Sequence, residues 1–245
     1  MLTLNNTKLV IAASAAALLT ACGGGGGGGG GAPVAGTAEG YWTGTTSTGY
    51  NAAVVVLENG ETWGLYTSGN TVYGALYGTS TGTGNTFSAS GSDFNLLNWA
   101  VSQGSLSGTV VPQSTIRATS NYGTTVNLTY SSAYNTPATQ AAIAGTYTVK
   151  GISATASADN VAMTISSTGV LSVPGVGCNA AGTVTPRSSG KNVYNISVTF
   201  TGNNCALGNG GTASGIFILD GTLATSLALT PNKNDGFIAF GRKNS

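Results

Sequence analysis

The chain contains no histidine, and that absence removes most of the chemistry a protein of this size could perform. Ser-His-Asp and Cys-His nucleophile arrangements are excluded, as is a zinc site built on imidazole. Seven carboxylates remain: Glu39, Glu58, Glu61, Asp93, Asp159, Asp220 and Asp235. Two carboxylates facing each other across a cleft would be enough for glycoside hydrolysis. Glu58 and Glu61 are the obvious pair, because they flank Asn59-Gly60, the preferred dipeptide of a two-residue type I′ hairpin turn. That turn sets Glu58 opposite Glu61, Val56 opposite Trp63 and Val54 opposite Leu65, with all six side chains on one face. A sugar hardly fits between carboxylates held so close. Opposed like charges are destabilising, so the tip is either solvated or a weak cation or amine site. The glycine-rich stretches are not phosphate loops, since no helix follows them and no Lys completes the pattern.

The elements that would position these residues are strands. Only 6% of the chain is charged while 41% is apolar, so solubility comes from Ser, Thr, Asn and Gly, and the apolar fraction argues against disorder. Seven basic residues follow Lys8 (Arg117, Lys150, Arg187, Lys191, Lys233, Arg242, Lys243), too few and too scattered for nucleic acid. The two sequence-close pairs, Arg187 with Lys191 and Arg242 with Lys243, read as solvated strand ends. From Gly40 to Arg242, apolar residues alternate or come in short β-branched runs bounded by Gly, Asn and Ser, the pattern of an all-β sandwich or barrel. Two weak helical turns interrupt it, Ser92 to Trp99 with Ser92 as N-cap, and Thr136 to Ile143. About eight strands precede Asn135-Thr136-Pro137 and about eight follow. The predicted arrangement is two small antiparallel β-barrels in tandem, residues 40–135 and 140–245, with one larger two-sheet body as the alternative. Gly40-Tyr41-Trp42-Thr43-Gly44 looks like Gly145-Thr146-Tyr147-Thr148-Val149, and Gly108-Thr109-Val110-Val111-Pro112 echoes Gly182-Thr183-Val184-Thr185-Pro186, a weak sign of duplication.

Ahead of the strands, Lys8 and the apolar run Leu9 to Leu19 lead into Leu19-Thr20-Ala21-Cys22. This stretch resembles the lipobox of bacterial lipoproteins. The resemblance implies a signal peptide over residues 1–21, diacylation of Cys22 and a membrane contact through that lipid. The run is too short to span a bilayer. Nine glycines, Gly23 to Gly31, then open a tether over residues 22–39, whose polyglycine part reaches roughly 17 Å as a flexible coil. In many Gram-negative lipoproteins an Asp after the acylated Cys retains the protein at the inner membrane; Gly23 at that place implies the outer membrane. Gly40-Tyr41-Trp42 also resembles the Gly-x-Trp that opens lipocalin-type barrels, where the Trp plugs one end. More broadly, aromatic strands and Gly-rich hairpins behind a lipobox look like the barrels of proteobacterial surface lipoproteins, including the transferrin-binding type.

With Cys22 acylated, Cys178 and Cys205 form an even pair in an oxidising compartment, and the expectation is a structural disulfide. No Cys-x-x-Cys spacing favours a redox pair instead. Thirteen of the nineteen aromatic residues, including all three Trp, precede Pro137. They are either core or the lining of a cavity in the first module, for which Trp63, Tyr66, Tyr73, Tyr77 and Trp99 are the candidate ligand-binding residues. The reading that follows is a non-catalytic binding protein for a small apolar or sugar-like ligand, with no cofactor and no metal. An accessory envelope protein acting through exposed β-edges is the alternative, and a carboxylate-dependent hydrolase is a third. Replacing Cys22→Ala is expected to move the protein out of the membrane fraction on cell fractionation; retention there would refute the lipobox reading.

Overall fold

The computed structural model describes residues 35–98 and 100–244, so the expected signal peptide, Cys22, polyglycine and Trp99 lie outside the described residues. Sixteen strands form two closed antiparallel barrels of eight. The first comprises β1 (Gly40–Thr46), β2 (Asn51–Val56), β3 (Glu61–Ser68), β4 (Thr71–Thr83), β5 (Thr86–Asn95), β6 (Ala100–Val111), β7 (Thr115–Ser120) and β8 (Thr125–Tyr130), with β1 paired to both β2 and β8. The second comprises β9 (Gly145–Ser153), β10 (Ser157–Ile165), β11 (Val170–Val173), β12 (Asn179–Pro186), β13 (Tyr194–Thr201), β14 (Thr212–Asp220), β15 (Leu223–Leu229) and β16 (Gly236–Lys243), closed by β9 against β10 and β16. Full closure leaves neither sheet a free edge. Among the described residues no helix is long and apolar enough to cross a membrane.

Each barrel is plugged at the end where its first strand begins. Trp42 is fully buried and its indole N–H donates to the Ala38 carbonyl at 2.9 Å. Tyr147 does the same in the second barrel, its hydroxyl donating to the Ile143 carbonyl, again four residues back. The similarity of the two opening segments is therefore structural. The second sequence echo is not, since Val110 lies on the sixth strand of its barrel and Val184 on the fourth of the other. The segment Ala35–Glu39, expected as the end of a flexible tether, instead seals the first barrel. Ala35 and Ala38 are fully buried, the Gly82 amide donates to the Ala35 carbonyl at 2.9 Å, and Thr37 donates back to Gly82 at 3.2 Å.

Two local readings are corrected. The β2–β3 turn is not type I′, which needs positive φ at both central residues; only Gly60 has it, at 82°. The Asn59 side chain accepts from the Glu61 amide at 3.0 Å, and Leu57 closes the loop on Glu61 at 2.8 Å. The loop thus contains Glu58, Asn59 and Gly60, and the register moves by one: Val55 pairs with Trp63 and Val56 with Thr62. A shift of one residue exchanges the faces, so Val56 joins the first barrel's interior while Val55 and Trp63 point out of it. The second correction is at Ser92 to Trp99, where β5 runs through Asn95 before a turn, held by ladder pairs Asp93–Leu76 and Phe94–Val101. The other expected turn exists as a single short helix, Gln140–Ile143, capped by the Thr139 hydroxyl.

Outward-facing apolar residues join the barrels. Val55, Leu57, Trp63 and Val72 of the first meet Ile216, Ile218, Leu227, Leu229 and Ile238 of the second, with Tyr134 of the connecting segment wedged among them. This is why Val54-Val55-Val56 and Ile216-Phe217-Ile218 read as continuous apolar runs: both faces of those strands are covered. Polar contacts rim the seam. Arg187, expected as a solvated strand end, bonds Glu58 at 2.7 Å and Asn195 at 2.6 Å; Lys191 reaches Asn135 at 3.2 Å.

The second barrel is filled by Tyr147, Met163, Leu171, Val184, Tyr194 and Phe217, with Phe200 and Phe237 edge-to-face at 5.7 Å toward its other end. Residues 202–211 fold over that end, Leu207 packs on the core, and a Cys178–Cys205 disulfide pins the loop to the start of β12. With the cysteines 27 positions apart in sequence, the paired change Cys178→Ser and Cys205→Ser is expected to lower the unfolding free energy by about 3.5 kcal/mol in denaturant titration.

Candidate functional site

The interior of the first barrel is open where that of the second is full. A cavity of about 370 Å³ runs up from the plugged end and is lined by residues from all eight strands. Its floor is apolar, formed by Val54, Phe87, Leu106, Val126 and Leu128. Beside the plugged end, the Thr62 and Ser80 hydroxyls lie 2.8 Å apart and the Gly60 carbonyl lies 3.0 Å from Thr62, so these buried polar groups are satisfied within the wall.

The space exists because part of the wall has no side chains. Gly78, Gly91 and Gly104 stand side by side across β4, β5 and β6. They recur every thirteen residues in the chain. Gly78 and Gly91 are obligatory, since a Cβ on either would lie within 2.7 Å of the other's Cα. Such bare positions let long strands coil sharply at a barrel corner. Gly104 differs, for a Cβ there would meet only Asn121 and Tyr122 at ordinary contact distances.

The mouth carries the chemistry. The Tyr66 hydroxyl donates to Asp93 Oδ1 at 2.9 Å, its ring lying over Gly74. Tyr50 stacks at a tilt between Tyr66, 5.4 Å away, and Tyr73, 5.0 Å away. Tyr122 stands on the rim with its hydroxyl on the Gln103 carbonyl at 2.8 Å. Asp93 is the only charged side chain in the lining, and neither ion pair found among the described residues, Lys150–Asp159 nor Arg187–Glu58, involves it. Burial raises its pKa, against the lowering effect of the Tyr66 hydrogen bond. Burial also lifts the Tyr66 phenol well above its ordinary value, with the Asp93 charge adding to it. One carboxylate beside a phenol that keeps its proton can orient a ligand; the two-carboxylate arrangement of a glycosidase needs a second acid.

Of the residues expected at a site, Tyr66 lies at the mouth and Tyr73 beside it through Tyr50. Tyr77 borders the cavity, but its ring packs on Trp63 at 4.6 Å on the outer face that meets the second barrel, and Trp63 lies wholly on that face. Lys233 covers Tyr77 at 4.0 Å from the ring centre and bonds its hydroxyl at 2.5 Å. The shift in turn register is what turns Trp63 outward. Trp99 lies outside the described residues. Glu58 and Glu61 do not face each other, for Glu58 turns to Arg187 while Glu61 accepts the Trp63 indole N–H at 3.1 Å. Asp93 and Tyr50 went unrecognised as site residues. The signal for Asp93 was present in Phe87-x-Ala89-x-Gly91-x-Asp93, a strand alternation hidden by reading Ser92 to Trp99 as helical.

No protein-family model and no curated protein matches the chain. Among solved structures, a candidate outer-membrane protein of Bacteroides fragilis is similar at 15% identity, over 84% of this chain and 96% of that one, with a TM-score of 0.25. A superposition that loose carries nothing across to this chain.

The other titratable groups among the lining residues are Tyr50, Tyr66, Tyr77 and Tyr122, of which Tyr66 bonds Asp93 directly. Because the folded pKa of Asp93 is raised above that of an ordinary aspartate, the stability linked to its protonated form is complete below the ordinary value and is lost as pH rises through the folded one. Asp93→Asn, always neutral and still able to accept from Tyr66, is therefore expected to raise the ligand-free Tm at pH 7 by a few degrees at most. That gain should vanish near pH 3 in thermal melts.

Proposed function

We propose that this chain is a lipid-anchored lipoprotein of the outer membrane whose first barrel binds a small molecule without transforming it, while the second barrel serves as a rigid support. The observation that carries the reading is the contrast between the barrels. Two eight-stranded bodies of like topology differ in that one is filled to its capped end and the other keeps a cavity of about 370 Å³ with a polar mouth. That volume falls in the range of small-molecule sites, roughly 300–1,000 Å³.

The anchor and compartment rest on Leu19-Thr20-Ala21-Cys22 and on the Gly after it. The disulfide fits an oxidising compartment. An accessory role through β-edge contacts is less well supported, since both barrels are closed and offer no unpaired strand.

Native mass spectrometry of the protein extracted from its own envelope, before and after denaturation, tests the reading. The expected result is a co-purifying small-molecule mass that is released on unfolding and is absent when Gly104→Phe occupies the cavity. A mass unchanged by unfolding in the native protein would shift the function to protein contacts.

A further inference from the structure

The chemistry of the cavity mouth narrows the class of ligand. We infer that the occupant is a small amphiphile whose positively charged amine head seats on Asp93 and whose apolar body fills the barrel below; this rests on the cavity being the binding site. Asp93 uses one carboxylate oxygen for Tyr66 and has no cationic side chain beside it among the lining residues. A carboxylate placed in a largely apolar chamber without a counter-charge is costly unless a ligand supplies one. An ammonium head supplies it through a charge-assisted hydrogen bond, about twice as strong as a neutral one.

The aromatic rings agree with that assignment. Tyr50, Tyr66 and Tyr73 form one cluster at the mouth, and aromatic faces attract ammonium groups through the ring quadrupole. The chain already uses this contact in its own seam, where the Lys233 ammonium lies 4.0 Å from the Tyr77 ring centre. A carboxylic acid or a phosphate is disfavoured, because no Lys or Arg lines the cavity and Asp93 would repel it. Below the mouth, Val54, Phe87, Leu106 and Leu128 offer nothing to hydrogen-bond, so a sugar would leave hydroxyls unpaired there.

Three probes that share one apolar body separate these possibilities: phenethylammonium, 2-phenylethanol and phenylacetate. Each is titrated calorimetrically at pH 7 into the full acylated chain in lipid nanodiscs, with empty nanodiscs as the blank. The native protein is expected to bind the ammonium about tenfold more tightly than the alcohol, and phenylacetate most weakly. In Asp93→Asn the ammonium should lose its advantage, the ratio of ammonium to alcohol affinity falling from about ten to about one. Gly104→Phe should lose all three, and near-ultraviolet circular dichroism checks that it is folded. If the alcohol binds and Gly104→Phe removes it, but the ammonium is no tighter than phenylacetate, the charge assignment is overturned and the cavity reading stands. If none of the three binds the native protein, both fall. The ranking on the native chain decides the matter even should Gly104→Phe misfold.

Discussion

Both barrels depend on one ring set against the backbone just before it. Trp42 donates to Ala38 and Tyr147 to Ile143, each four residues back and each fully shielded from water. In a closed eight-stranded sheet the end where the first strand begins is otherwise open, and a buried polar ring needs a partner for its N–H or O–H. Donating to the entering backbone answers both needs at once. It pulls that segment across the barrel end and satisfies the donor. Ala35 to Ala38 and the Gln140–Ile143 turn are the two versions of the segment so drawn in.

With both ends set, the barrels differ in what they do with their interiors. In the second, large side chains alternate inward from every quarter, Phe217 touching Tyr147 and Tyr194 edge-on at 5.9 Å, and a disulfide-held loop completes the cover. In the first, the longest strands carry glycine where they pass closest, so that row of the wall contributes no side chains to the interior. What the first barrel gains is volume and strand curvature; what it loses is core. The lost packing is offset in part on the outside, where its Trp63 and Val55 share a continuous apolar layer with the second barrel.

That shared layer ties the site to the neighbour. Val55, Trp63 and Tyr77 lie on the outer side of strands whose inner side bears Val54, Thr62 and Gly78 of the cavity wall. The second barrel therefore stiffens the half of the first that contains the glycine row. The Arg187–Glu58 bond closes the rim of the same seam with both partners mostly shielded from water. A cavity wall with so little of its own packing benefits from such a brace.

Much of the fold was legible in the sequence. Eight strands and eight strands, the break at Asn135 to Pro137, the Gly-x-aromatic openings and the cysteine pair follow from period-two alternation, turn residues and parity, which are local properties. The site was legible only in part, because a residue's type and parity do not say which side of a strand faces the lumen. Trp63 and Tyr77 share the apolar character of a lining, yet a three-residue loop in place of two turns Trp63 outward, and only the second barrel's surface explains why an aromatic ring belongs there. Glu58 and Glu61, adjacent at the turn, are parted by Arg187 from far along the chain. Asp93 shows the converse: a lone acid in a strand joins the cavity mouth because β3 and β5 flank β4, where Gly74 leaves room for the Tyr66 ring to reach it. The sequence by itself determined which segments are strands, through side-chain periodicity and turn chemistry. Which faces look inward, which interior stays empty and which charges meet were decided by closure and by the contact between barrels, since both join residues that no local pattern connects.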